Sequence, residues 1–157
     1  MPPEVTTLRG PVAPLEAGAI ADRDAVLQLC KLYAFSMDTR DEAMLLSLFS
    51  PKAVMHGARG DATADVYMPK LLARTSAFSA TMHNIINQYA VVEGDEANVR
   101  SYCVAYHIEA PGNGRGDVDV GVIYMDRCQR TPRGWWIVHR EVTRVWTRVR
   151  PAEAAQA

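Results

Sequence analysis

The chain has 157 residues, 48% hydrophobic and 22% charged, which fits one globular domain with a sizeable core. Its 17 basic and 18 acidic residues leave a formal net charge of −1, so nothing electrostatic points to nucleic acid or an anionic membrane as partner. No apolar run reaches the ~18 residues of a membrane span, and no basic-then-apolar leader opens the chain. Three cysteines, Cys30, Cys103 and Cys128, make no CxxC pair and read as reduced thiols of a cytoplasmic protein.

Residues 1–18 carry Pro2, Pro3, Pro11 and Pro14 among small residues and read as an irregular arm. Residues 151–157 read the same way, leaving 19–150 as a single domain. Over 22–37, apolar residues at Val26, Leu29, Cys30, Tyr33 and Met37 keep the 3–4 spacing of a helix with one buried stripe. Asp22 or Asp24 can cap its start. A second helix is expected over 40–49, with Leu45, Leu48 and Phe49 inward and Pro51 just beyond. Residues 53–56 make a short strand, and 68–78 a third helix with Leu71, Leu72 and Phe78 at helical spacing.

After Ser79 the pattern becomes strand-like. Segments 81–93, 97–109, 118–130 and 135–148 are rich in Val, Ile, Tyr and Trp, and Gly- or Pro-containing turns separate them. Long sequential strands joined by short turns make an antiparallel meander, which needs cover on one face. The upstream helices supply it. The expected fold is therefore α+β, a curved antiparallel sheet wrapped around N-terminal helices with an apolar pocket at its mouth.

Among chemistry-bearing residues, His83 shares a strand face with Thr81, Ile85, Asn87 and Tyr89, a set that suits a pocket lining or a half-exposed face equally. His107 stands near the end of the next strand with the small residues Ser101, Cys103 and Ala105, which leave room for a ligand or for a closely packed helix. His56 and His139 have no informative neighbourhood. Asp38 ends the first helix; it can cap the second, with Asp41 three residues on, or meet an imidazole, and the two roles are compatible. Tyr33 stands five residues earlier, about 140° around an ideal helix, and shares a cavity with Asp38 only where the helix is ending. No HxxxH, HxH or CxxC spacing marks a metal site. No GxGxxG or Walker-type loop marks a nucleotide site, and no GxSxG marks acyl transfer.

The order Tyr33…Asp38, then DEAMLLSLF, TMHNIIN with His83, GDEANVRSY, and GVIYMDRCQRTPRGWWIVHREVTRVW resembles the SnoaL-like domains. These belong to the cone-shaped superfamily that includes nuclear transport factor 2, and the likeness covers about residues 19–148. Within that superfamily it is nearest to scytalone dehydratase, bile acid 7α-dehydratase and hexachlorocyclohexane dehydrochlorinase. The resemblance implies an Asp–His dyad at Asp38 and His83, with Tyr33 at the position of a catalytic Tyr. It places His107 close to a second functional residue and Arg144 at the arginine near the leaving group. Arg140 and Arg148 compete with Arg144, since alternation puts all three on one strand face. Tyr124, Asn87 and Trp146 complete the expected substrate-binding set. The lysine of the dehydrochlorinase is missing, which speaks against dehalogenation. The implied activity is cofactor- and metal-independent β-elimination on a small apolar cyclic, steroid- or polyketide-like molecule, by a homo-oligomer that this branch makes a trimer. An isomerase or cyclase, or a non-catalytic binding or accessory domain, are the alternatives.

Overall fold

The change of hydrophobic period near Ser79 marks the passage from helices to the main sheet. A computed structural model describes residues 14–57, 60–110, 112 and 114–151. The elements run α1 (Ala17–Thr39), α2 (Glu42–Ser47), β1 (Phe49–Gly57), β2 (Gly60–Thr63), α3 (Ala64–Thr75), β3 (Ala80–Glu93), β4 (Glu96–Ile108), β5 (Asp117–Thr131) and β6 (Gly134–Arg150). One curved sheet of six strands has the order β2-β1-β6-β5-β4-β3; every pairing is antiparallel except that of β1 with β6. The helices cover one face, so the α+β expectation describes the molecule.

The expected stripe of α1 is the buried one: Val26, Leu29, Cys30, Tyr33 and Met37 are all within 6% of full burial. The helix starts earlier than expected, at Ala17, because the run Ala17-Gly18-Ala19-Ile20-Ala21 extends it. Neither Asp22 nor Asp24 caps it. Asp22 instead accepts two hydrogen bonds of 2.7 Å from the guanidinium of Arg130 on β5. Residues 17 and 18 of the expected arm are thus helical, and residues 1–13 lie outside the described residues.

Arg40 closes α1 in the left-handed conformation (φ 59°), and Asp41, not Asp38, caps α2 by accepting from the Met44 N–H at 2.9 Å. α2 is shorter than expected because Phe49 and Pro51 already belong to β1. The β1–β6 register shifts between Phe49 and Val54, so Pro51 stands where the ladder is broken and its missing N–H costs little. α3 begins at Ala64, four residues before the expected start, and carries Pro69 inside it. The four-residue β2 carries no sequence signal of its own.

The small residues of β4 settle their ambiguity. Ser101, Cys103 and Ala105 are buried beneath the helical layer at 0–4% exposure and serve close packing, leaving the cavity to be lined by His107. Among the described residues no helix is long and apolar enough to cross a membrane.

Candidate active site

α1 and α3 stand away from the inner face of β3–β6 at one end and enclose a cavity of about 360 Å³, within the range of small-molecule sites. Tyr33 and Met37 enter from α1, Tyr67, Leu71 and Arg74 from α3, and His83 and His107 from β3 and β4. β5 contributes Val118, Val120, Val122 and Tyr124, and β6 contributes Val142, Arg144 and Thr147.

Asp38 lies one residue from the end of α1, where its carboxylate reaches across to β3. Its Oδ1 is 2.7 Å from Nδ1 of His83 and accepts from the Thr81 hydroxyl at 2.9 Å; its Oδ2 accepts the backbone N–H of His83 at 2.8 Å. A carboxylate only accepts, so Nδ1 of His83 carries a proton, and in the neutral ring Nε2 is the lone-pair nitrogen. Burial pushes the Asp38 carboxyl up, but the bonds from the His83 ring and backbone and from Thr81 outweigh it and hold it below its ordinary value. The His83 side chain is 5% exposed.

Beside this pair, the rings of Tyr33 and His83 meet edge-on with centroids 6.4 Å apart, and Tyr33 and Tyr124 likewise at 5.4 Å. Burial raises the hydroxyl pKa of both tyrosines, keeping them neutral donors. His107 stands 5.8 Å from His83, centroid to centroid, and its Nδ1 meets the Val118 carbonyl at 3.1 Å. A carbonyl cannot donate, so here too Nδ1 carries the proton and Nε2 is left as acceptor. Burial lowers the His107 pKa and favours that neutral form.

The three competing arginines separate. Arg140 is fully buried, held by Asp126 with bonds of 2.6 and 2.7 Å, and its guanidinium lies 4.3 Å from the Tyr33 centroid and 4.6 Å from that of Tyr124. Arg144 lines the cavity. Arg148 leaves that face, because a bulge between the pairs Val122–Arg144 and Gly121–Trp146 inserts Val145 and shifts the alternation.

The same bulge corrects the expectation for Trp146. Val120 and Val122 face the cavity, so Gly121 faces the opposite side, and the Trp146 indole covers Gly121 there. A second bulge, between Ile85 and Gln88 on β3, corrects that for Asn87, which is exposed and outside the cavity lining. Gln88 takes the inward position and donates to the Leu27 carbonyl and to Ser101 Oγ.

Of the expected residues, His83, Tyr33, His107, Tyr124 and Arg144 line the cavity and Asp38 stands behind His83; Asn87 and Trp146 are outside the lining. Tyr67 and Arg74 stand outside the expected set, as does the bond from Thr81 to Asp38. The first two lie with Leu71 on one stripe of α3 at spacings of four and three, a signal that was present in the sequence. Thr81 was expected on the His83 face, but its bond to Asp38 depends on where α1 ends. Among the described residues no group of three His, Cys, Asp or Glu side chains is placed to hold a metal ion.

The SnoaL-like domain model matches residues 18–141. The chain belongs to the SnoaL-like domain family. Solved structures agree on the fold of this SnoaL-like chain. A candidate scytalone dehydratase of Novosphingobium aromaticivorans is 23% identical and superposes with a TM-score of 0.74, over 88% of this chain and 96% of the other. The type-3 hexachlorocyclohexane dehydrochlorinase of Novosphingobium barchaimii is 16% identical, with a TM-score of 0.72 over 88% and 95% of the two chains. An NTF2-like protein of cystatin-like fold, also from Novosphingobium aromaticivorans, is 21% identical, with a TM-score of 0.69 over 82% and 84%. At these identities the likeness is one of fold. No curated protein sequence matches the chain.

Proposed function

We propose that the chain is a cofactor-independent lyase that eliminates water from a small, apolar, cyclic substrate, with His83 as base and Asp38 as the group that orients it. The observation that carries this reading is the 2.7 Å bond between Asp38 and Nδ1 of a nearly buried His83 on the wall of an apolar cavity. The carboxylate fixes the tautomer and stabilises the imidazolium that forms when Nε2 takes a proton.

In the step we envisage, Nε2 of His83 removes a proton from a carbon next to a carbonyl. The released electron pair becomes the carbon–carbon double bond, and the neighbouring carbon–oxygen bond breaks. The departing hydroxide takes the proton of Tyr33, whose raised pKa makes it a donor at rest, and leaves as water. The His83 imidazolium then returns its proton to the Tyr33 oxygen through solvent, which restores both groups. Tyr124 and His107 complete the polar end, with the Nε2 of His107 accepting from a substrate hydroxyl, and Arg144 faces the substrate from β6.

Screening β-hydroxy carbonyl compounds for the absorbance of the conjugated product tests the proposal. Turnover lost in His83→Ala with ligand affinity kept supports it; equal loss of both, or full turnover in Asp38→Asn, removes the dyad from the chemistry. We also propose that copies of the chain associate through the outer sheet face, as a trimer. Met82 and Tyr106 lie paired there beside the row Val104, Gly121 and Trp146, and Met82, Tyr106 and Trp146 are 37–60% exposed. A monomer by light scattering would end that part of the proposal.

A further inference from the structure

We propose that this cavity takes its substrate as an anion, an apolar carboxylic acid whose carboxylate is held at the mouth between Arg74 and Arg144. The inference rests on the cavity being the substrate site and adds the class of molecule that fits it.

Four observations support it. The cavity wall contains two arginines and no aspartate or glutamate, although the chain as a whole carries a net charge of −1. Asp38, which stands behind His83, has both carboxylate oxygens occupied by His83 and Thr81. Neither the Arg74 nor the Arg144 guanidinium has an ion-pair or hydrogen-bond partner among the described residues, whereas that of the neighbouring Arg115 is engaged by Glu109 at 3.0 Å. Both free arginines are exposed residues that nonetheless line the cavity, which places them at its opening rather than its floor.

Arg74 comes from the last turn of α3 and Arg144 from β6, so the helical layer and the sheet each bring one arginine to the cavity. Between them and the His83 pair the β5 wall is a stripe of valines, Val118, Val120 and Val122, with Val142 beside it. Tyr67 shares the mouth: burial raises its hydroxyl pKa and the charge of Arg144 draws it back, which reports their proximity. A planar guanidinium binds a carboxylate at two points and stays charged at every working pH, so two of them select an anion over a neutral isostere. An apolar ring system carrying one carboxylate satisfies the whole cavity, with its ring on the valines, its charge at the arginines and its reacting carbons toward His83.

The test compares two probes that differ only in charge, 1-naphthoate and 1-naphthalenemethanol, titrated calorimetrically into the full chain. The wild type is expected to bind the acid at least about tenfold more tightly than the alcohol. Arg74→Gln and Arg144→Gln are each expected to weaken the acid about tenfold and to leave the alcohol within about twofold, and added salt to weaken the acid alone. An acid bound no more tightly than the alcohol, absence of binding included, overturns the proposal, as does an acid affinity that survives in the double variant. His83→Ala is expected to bind both probes as the wild type does. The acid preference and the elimination chemistry are thereby read separately, and either can fail while the other stands.

Discussion

Asp126 on β5 and Arg140 on β6 stand directly opposite each other and form a two-point ion pair with both side chains at most 2% exposed. The guanidinium is at once the partner of Asp126 and the surface on which Tyr33 and Tyr124 rest, so the pair sets the height of both tyrosines under the cavity. Removing one member leaves a buried charge unpaired. Arg140→Met alone should therefore cost about 3–5 kcal/mol in urea unfolding, while Arg140→Met combined with Asp126→Leu should recover most of that loss. If the double variant is no more stable than the single one, the pair is not what the core is built around.

Asp38 and Asp41 test the division between capping and chemistry. Asp41→Ala removes the side-chain acceptor of the Met44 N–H and should lower stability by about 1 kcal/mol with kcat unchanged. Asp38→Asn should do the reverse to activity, lowering kcat by roughly 100- to 10,000-fold. Unfolding curves and initial rates on the two variants separate the roles.

At the candidate site two groups act on the acid limb of stability with the same sign, as do His139 and Asp22 elsewhere, whose pKa values are also lowered, by burial and by the Arg130 hydrogen bond. His107 is held neutral by burial, so its folded pKa lies below its ordinary value of 6.5. Its contribution is complete above that value and is lost as pH falls below it toward the folded pKa. Asp38, whose pKa is lowered from 3.8, contributes fully above 3.8 and loses its contribution at lower pH still. Urea midpoints measured against pH should therefore fall from about pH 6.5 downward. His107→Gln should reduce the upper part of that slope, leaving the share of His139, and leave the lower part in place.

Trp146 lies on the far side of the sheet from the cavity. Trp146→Ala should leave ligand affinity within about twofold, whereas Tyr124→Ala, which opens the cavity floor, should not. Gly121→Ala is expected to displace the indole, because a Cβ there would collide with it. A change in Trp emission without loss of ligand binding is the expected reading.

The sequence placed the fold well where a period is long and undisturbed. The α1 stripe and the four long strands carry ten or more residues of one pattern, and the observed bounds differ mainly at the ends. It failed where a local event breaks the period. One inserted residue on β6 separated Arg148 and Trp146 from Arg144, and the bulge on β3 put Gln88 where alternation had put Asn87. Neither bulge carries a Gly or Pro to announce it. Asp38, His83, Tyr33 and Arg144 were legible through the family resemblance, whereas Arg74 and Tyr67 were not: they share the Leu71 stripe of α3, but nothing in the stripe itself marks it as facing a cavity rather than a packed core. The Asp126–Arg140 pair was invisible because only the strand register brings positions 126 and 140 together.

Whether Asp38 orients His83 is read from the tautomer of the His83 ring, by long-range ¹H–¹⁵N correlations in the wild type and in Asp38→Asn. In the wild type the tautomer of the uncharged ring is expected to be the one with its proton on Nδ1 and Nε2 bare, and that single tautomer is expected to be lost once the carboxylate is gone. An uncharged wild-type ring protonated at Nε2, or a tautomer indifferent to Asp38, would contradict that role, since no lone pair would then be held toward a substrate.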